Sequence, residues 1–82
     1  MPNVAVLYFS GLRLALGRES ESFELPENTT VPEILQAIAA AHPSQSEAIL
    51  GARLAVDQAF ASGEVRLHNG SELAVITPVS GG

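Results

Sequence analysis

Val4-Ala5-Val6-Leu7-Tyr8-Phe9 is apolar at every position. A short run without alternation, rich in β-branched and aromatic residues, reads as a strand covered on both faces. The same signal returns near the other end, where Leu73-Ala74-Val75-Ile76 is apolar throughout and is closed by Pro78. Two interior strands from opposite ends of one chain are expected to pair at the centre of one sheet.

Between them the pattern changes. Ser20-Glu21-Ser22-Phe23-Glu24-Leu25 reads as a half-exposed strand, with Phe23 and Leu25 on one face and acids on the other. Arg53-Leu54-Ala55-Val56-Asp57 reads likewise through Leu54 and Val56, and Asp57-Gln58 turns the chain into a short partner strand at 59–62. Asn69-Gly70 is a stronger turn signal, because both residues tolerate φ > 0.

One helix has a clear start. Thr30 is placed to cap it, Pro32 suits its first turn, and Glu33 stands three residues after Thr30 as in a capping box. Val31, Ile34, Leu35 and Ile38 then fall at i, i+3, i+4 and i+7, forming one apolar stripe for one sheet face. Pro43 ends it. Shorter helices are expected at Gly11–Leu16 and at Glu47–Leu50, the latter after a Ser44 or Ser46 cap.

The order is strand, short helix, strand, long helix, short helix, two short strands and a last strand. A main helix on one face of a mixed sheet, with first and last strands central and parallel, is an α+β fold of the β-grasp (ubiquitin-like) type. The expected division is a β-grasp domain over residues 1–77 and an extended tail over 78–82.

Composition narrows the function. Eighty-two residues make one domain with a thin core, burying only roughly 60–65% of the surface the unfolded chain exposes. Nine acids stand against four arginines and no lysine, for a net charge of −5. Such a chain is poorly suited to nucleic acid or anionic membranes, and its protein partners are expected to present basic residues. With no cysteine it cannot use a Cys nucleophile or a Cys-ligated metal, and with no lysine it cannot form a Schiff base. No basic leader precedes Val4 and no apolar run approaches the ~18 residues of a membrane span, so a cytoplasmic location is expected.

The two histidines, His42 and His68, share no carboxylate at helical spacing, and His42 beside Pro43 is expected to be a solvated imidazole facing a helix end. Ser10-Gly11 and Ser62-Gly63 read as turns, and no Gly-Lys-Ser/Thr follows a glycine. No catalytic constellation, bound cofactor or metal is expected. What remains is Thr77-Pro78-Val79-Ser80-Gly81-Gly82, part of a ten-residue stretch without a charged side chain. Pro78 cannot join a ladder and biases Thr77 toward extension, so the chain is expected to leave the sheet as an arm. An uncharged arm enters a protein channel without stripping water from side-chain charges. Gly81 and Gly82 lack Cβ atoms and pass a narrow slot in whatever φ/ψ it imposes. Chance would end about 0.5% of chains in Gly-Gly, given glycine at ~7% of residues.

Over its whole length the chain resembles the small-subunit family of molybdopterin synthase, ubiquitin-like sulfur carriers. The resemblance rests on Tyr8-Phe9-Ser10-Gly11-Leu12-Arg13 with Leu16-Gly17, on Val56-Asp57-Gln58, and on Leu67-His68-Asn69-Gly70-Ser71-Glu72-Leu73-Ala74 with Pro78-Val79-Ser80-Gly81-Gly82. Leu14 stands where the opening motif has Glu, Thr77 replaces a first proline, and Val75-Ile76 fills a stretch often aromatic.

The resemblance implies a carrier that is not catalytic alone. Gly82 would be adenylated by a ubiquitin-activating-like adenylyltransferase that uses ATP, then converted to a thiocarboxylate by a sulfur donor. The loaded tail would enter the large synthase subunit, within a heterotetramer, and pass sulfur to cyclic pyranopterin monophosphate in molybdenum cofactor biosynthesis. Gly81 would supply clearance, while Pro78, Val79, Ser80, Ile76, Phe60 and Arg13 would contact the partner. Tyr8, Phe9 and Phe23 are expected in the core, and Phe60 is the exception. A carrier for thiamine thiazole or tRNA thiolation, a non-covalent ubiquitin-like module and a protein-conjugating modifier remain open alternatives.

Overall fold

The computed structural model describes residues 1–78. The chain runs β1 (Asn3–Tyr8), α1 (Ser10–Leu16), β2 (Ser20–Glu24), β3 (Asn28–Thr30), α2 (Val31–Ala41), a 3-10 turn (Pro43–Gln45), α3 (Ser46–Leu50), β4 (Arg53–Val56), β5 (Ala59–Phe60), β6 (Glu64–Arg66) and β7 (Glu72–Ile76). The main sheet has the order β2-β1-β7-β4-β5, and β3 pairs separately with β6. β1 and β7 run parallel at its centre, with Val6 opposite Leu73 and Tyr8 opposite Val75. This is the ubiquitin-like β-grasp fold.

The apolar stripe of α2 closes the core as its spacing requires. Ile34, Leu35, Ile38 and Ala39 are buried against Val4, Val6, Tyr8, Leu54, Leu73 and Val75, with Leu12 of α1 and Ile49 of α3 filling the ends. Thr30 Oγ1 accepts the Glu33 N–H at 3.2 Å and caps α2. The Glu33 carboxylate does not turn back to Thr30 but accepts the Thr29 hydroxyl at 3.3 Å, so only one half of a capping box forms. At α3 Gln45 occupies the cap position without a side-chain bond, and Ser46 is already inside the helix, so neither serine caps it.

Asp57 and Gln58 make the β4–β5 turn with positive φ at both residues, 48° and 72°. The Asp57 Oδ1 atom accepts the Glu72 N–H at 2.9 Å and ties that turn to the start of β7. β3 and β6 were not expected from the sequence. They are three residues each, Asn28-Thr29-Thr30 against Glu64-Val65-Arg66, and only Thr29 among them is buried. Among the described residues no helix is long and apolar enough to cross a membrane.

Candidate docking face and tail exit

The two central strands do not have both faces covered, as their unbroken apolar runs suggest. Burial alternates along β1 and β7: Val4, Val6, Tyr8, Leu73 and Val75 point to the helices and are buried, while Ala5, Leu7, Ala74 and Ile76 lie on the other side and are only partly buried. The chain has one helical layer, so it covers one face. Register extends the open face into β4 and β5, because Ala74 lies opposite Ala55, Ile76 opposite Arg53, and Ala55 opposite Phe60. Small residues at 55 and 74 leave a low floor bounded by Leu7 and Ile76 on one side and by Phe60 on the other. Phe60 is 57% exposed, and the Arg53 guanidinium lies 3.8 Å above its ring centroid. Phe9, extended just past β1, is 45% exposed rather than core. Its position ahead of α1 removes it from the alternation that buries Tyr8.

β7 ends at this face between β1 and β4, so the chain leaves the sheet from its middle. Thr77 is half-buried and Pro78 exposed. The expectations for Val79, Ser80, Gly81 and Gly82 lie outside the described residues. Arg13 is exposed on α1 and pairs with Glu19 at 2.7 Å, a surface contact contributing at most about 1 kcal/mol. The structure therefore brings Ile76 and Phe60 to one face, and sets Arg13 on the helix that follows β1.

A polar cluster on the covered face was missed in the sequence. Tyr8 donates its hydroxyl to Glu21 Oε1 at 2.8 Å, and His42 Nε2 lies 2.6 Å from the same oxygen. Because an ionised carboxylate only accepts, Nε2 carries the proton in this contact. Arg18 adds an ion pair to the other oxygen at 2.9 Å. The His42 ring meets Tyr8 edge-on, with centroids 5.8 Å apart. His42 is thus not the solvated imidazole expected from its place at a helix end, since its side chain is only 16% exposed.

The cause lies in strand parity. Glu21 shares a face with Phe23, across from Val6 and Val4, rather than sitting with the outward acids. An acid at an inward position was the available signal. Burial alone would raise the Glu21 carboxyl, but hydrogen bonds from His42 and Tyr8, with attraction to His42 and Arg18, hold it below its ordinary value of 4.5. Burial and the same carboxylate push the Tyr8 phenol upward.

Glu21 and His42 are largely withdrawn from solvent, and their contacts tie β2 to Tyr8 of β1 and to the end of α2, which gives the cluster a structural role. A depression of about 540 Å³ is open and lined by Met1, Glu27, Arg66 and Asn69 at the pole away from the tail exit. Among the described residues no three His, Asp or Glu side chains group as metal ligands do.

A family model described as the ThiS family matches residues 6–82. The molybdopterin synthase sulfur carrier subunit of Caenorhabditis briggsae is 36% identical, with both chains covered completely. That of Chlamydomonas reinhardtii is 32% identical, over 96% of this chain and 98% of the relative. The solution structure of small archaeal modifier protein 1 from Methanosarcina acetivorans superposes with a TM-score of 0.80 at 21% identity, covering 100% of this chain and 98% of the other, which establishes a shared fold. The chain belongs to the ThiS family and is a full-length relative of molybdopterin synthase sulfur carrier subunits.

Proposed function

We propose that this chain is the sulfur-carrier subunit of a molybdopterin synthase, with Gly82 as the reacting residue and the helix-free sheet face as its dock. The observation that carries the reading is that one strand both contributes to the open face and leads the chain out of the sheet toward its C-terminal end. β7 contributes Ala74 and Ile76 to the open apolar face and leads within two residues to exposed Pro78. A partner that covers this face stands where it can receive whatever follows Pro78.

The chemistry suits a bare carboxylate. A free carboxylate resists attack by sulfur because its leaving group is oxide-like. Reaction with ATP at the α-phosphorus gives an acyl adenylate and releases pyrophosphate. A sulfur nucleophile then adds to the carbonyl, AMP departs, and the thiocarboxylate remains. Transfer of that sulfur to cyclic pyranopterin monophosphate and hydrolysis return Gly82 to a carboxylate. The acid and base groups of these steps belong to the adenylyltransferase and the large subunit. In the synthase channel an arginine, a lysine or convergent N–H groups would meet the tail's charge. Gly81 offers clearance, and Pro78, Val79 and Ser80 aim the arm.

Incubation with ATP, the adenylyltransferase and a sulfur donor tests the reading by intact mass. One oxygen exchanged for sulfur at Gly82 is expected. An unchanged mass with competent partners overturns it, and adducts on other proteins would point to conjugation instead. Deleting Gly82 is expected to abolish sulfur transfer while moving the thermal midpoint by less than about 4 °C.

A further inference from the structure

Arg53 differs from the other three arginines. Arg13, Arg18 and Arg66 each lie within 4 Å of a glutamate of the same chain, at 2.7, 2.9 and 3.3 Å. Among the described residues Arg53 has no carboxylate partner, although the chain carries nine acids. It is exposed at the start of β4, opposite Ile76, with its guanidinium carbon over the exposed Phe60 ring, 3.8 Å from the centroid. Stacking restrains a side chain that would otherwise lose considerable rotamer entropy when it pairs, and it leaves the N–H edge of the guanidinium free to donate. The charge is therefore already positioned, on the face that the proposed function assigns to docking.

We infer that the protein docked on the helix-free face presents a carboxylate to Arg53 from within an apolar surface that covers Phe60. The overall charge of −5 favours a basic partner at long range. At this one point a basic contact is excluded, because it would place like charges together over an apolar floor where water is displaced. Arg53 and Phe60 thus form one composite element, in which the ring supplies buried area and the guanidinium sets which partner and which register are accepted.

This inference rests on the sulfur-carrier reading, so the probe is the purified large subunit of molybdopterin synthase from the same organism. Its dissociation constant is measured by calorimetry for the wild type, Arg53→Leu, Arg53→Glu and, as a charge control at the far pole, Arg66→Glu. Circular dichroism checks that each variant is folded. Arg53→Glu is expected to weaken binding by roughly 30-fold or more, Arg53→Leu by less, and Arg66→Glu by under about 2-fold. A single Asp/Glu→Arg change on the large subunit should restore binding of Arg53→Glu and weaken that of the wild type. Wild-type binding with an indifferent Arg53→Glu overturns this inference alone, as does an equal loss in Arg66→Glu. No binding by the wild type overturns it together with the large-subunit pairing, while the mass test at Gly82 reports separately on the carrier chemistry.

Discussion

The two faces of the central strands carry the same kind of side chain and meet different fates. On one face Val4, Val6, Tyr8, Leu73 and Val75 are at most 2% exposed beneath the helices. On the other, Ala5, Leu7, Ala74 and Ile76 are only partly buried, and among the described residues no layer lies above them. The apolar runs record the sum of both faces. One face is explained by the fold, and the other is the face that the proposed function assigns to a partner, which is why the difference between them bears on function. Isolated apolar residues on a surface are ordinary, but a continuous patch on the strand that carries the tail is not.

The sharpest way to break this contrast is to alter one isoleucine on the covered side and one on the open side. Ile38 is fully buried in the α2 stripe. Ile38→Ala should destabilise the fold by about 2–5 kcal/mol, because the small domain has little core to spare and the site cannot collapse freely. In a domain of this size that lowers the thermal midpoint by at least about 8 °C. A loss below about 1 kcal/mol in denaturant titration would show that α2 is not what closes the core.

Most of the covered face is legible in the sequence. The i, i+3, i+4, i+7 stripe, the Thr30 cap and the two apolar strands follow from local patterning, and the strand order suggests the β-grasp arrangement whose parallel centre the register shows. What stayed hidden has no local signal. β3 and β6 are too short to show a period, and Asn28-Thr29-Thr30 reads as a cap rather than a strand. The stack of Arg53 on Phe60 and the contact of His42 with Glu21 join residues that only tertiary structure brings together. The open face was obscured for another reason: an unbroken apolar run reports that both faces are apolar, and it does not say which molecule covers them. Of the candidate docking residues, Ile76 and Phe60 could be placed on one face only through the β4–β5 and β4–β7 registers.

The covered face is breached at one point, and that point titrates. Glu21 accepts from Tyr8 and His42 and pairs with Arg18, joining β1, the end of α2 and the loop before β2. Its carboxyl is held below 4.5, so its stabilisation is fully present above the unfolded value and is lost as pH falls through the folded one. Glu21→Gln keeps the shape but removes the charge, and should cost about 1–3 kcal/mol near neutral pH. The gap between wild type and variant should shrink as pH drops below 4.5, read as midpoint against pH. A gap that stays constant into acid would mean the carboxylate charge contributes nothing to the clamp.

The smallest effect on stability belongs to the open face, and there the contrast becomes informative about function. Ile76→Thr keeps the β-branch, and with it the χ1 restriction that suits a strand, while replacing one apolar arm by a hydroxyl. Ile76 is only half-buried and sits opposite the exposed Arg53, so the hydroxyl can reach water instead of being sealed in the core. The expected cost is therefore within about 1 kcal/mol, set by partial rather than full burial of the side chain. Binding to the large subunit should respond far more, by roughly tenfold or beyond, because docking would trap that hydroxyl against an apolar surface. Equilibrium unfolding and calorimetry on the same variant separate the two terms. If stability and binding fall together, as they would for a core position, Ile76 is holding this fold together and the open face loses its claim to be a dock. If binding falls alone, the side chain contributes little until a partner covers it, as a strand shared between a fold and an interface requires.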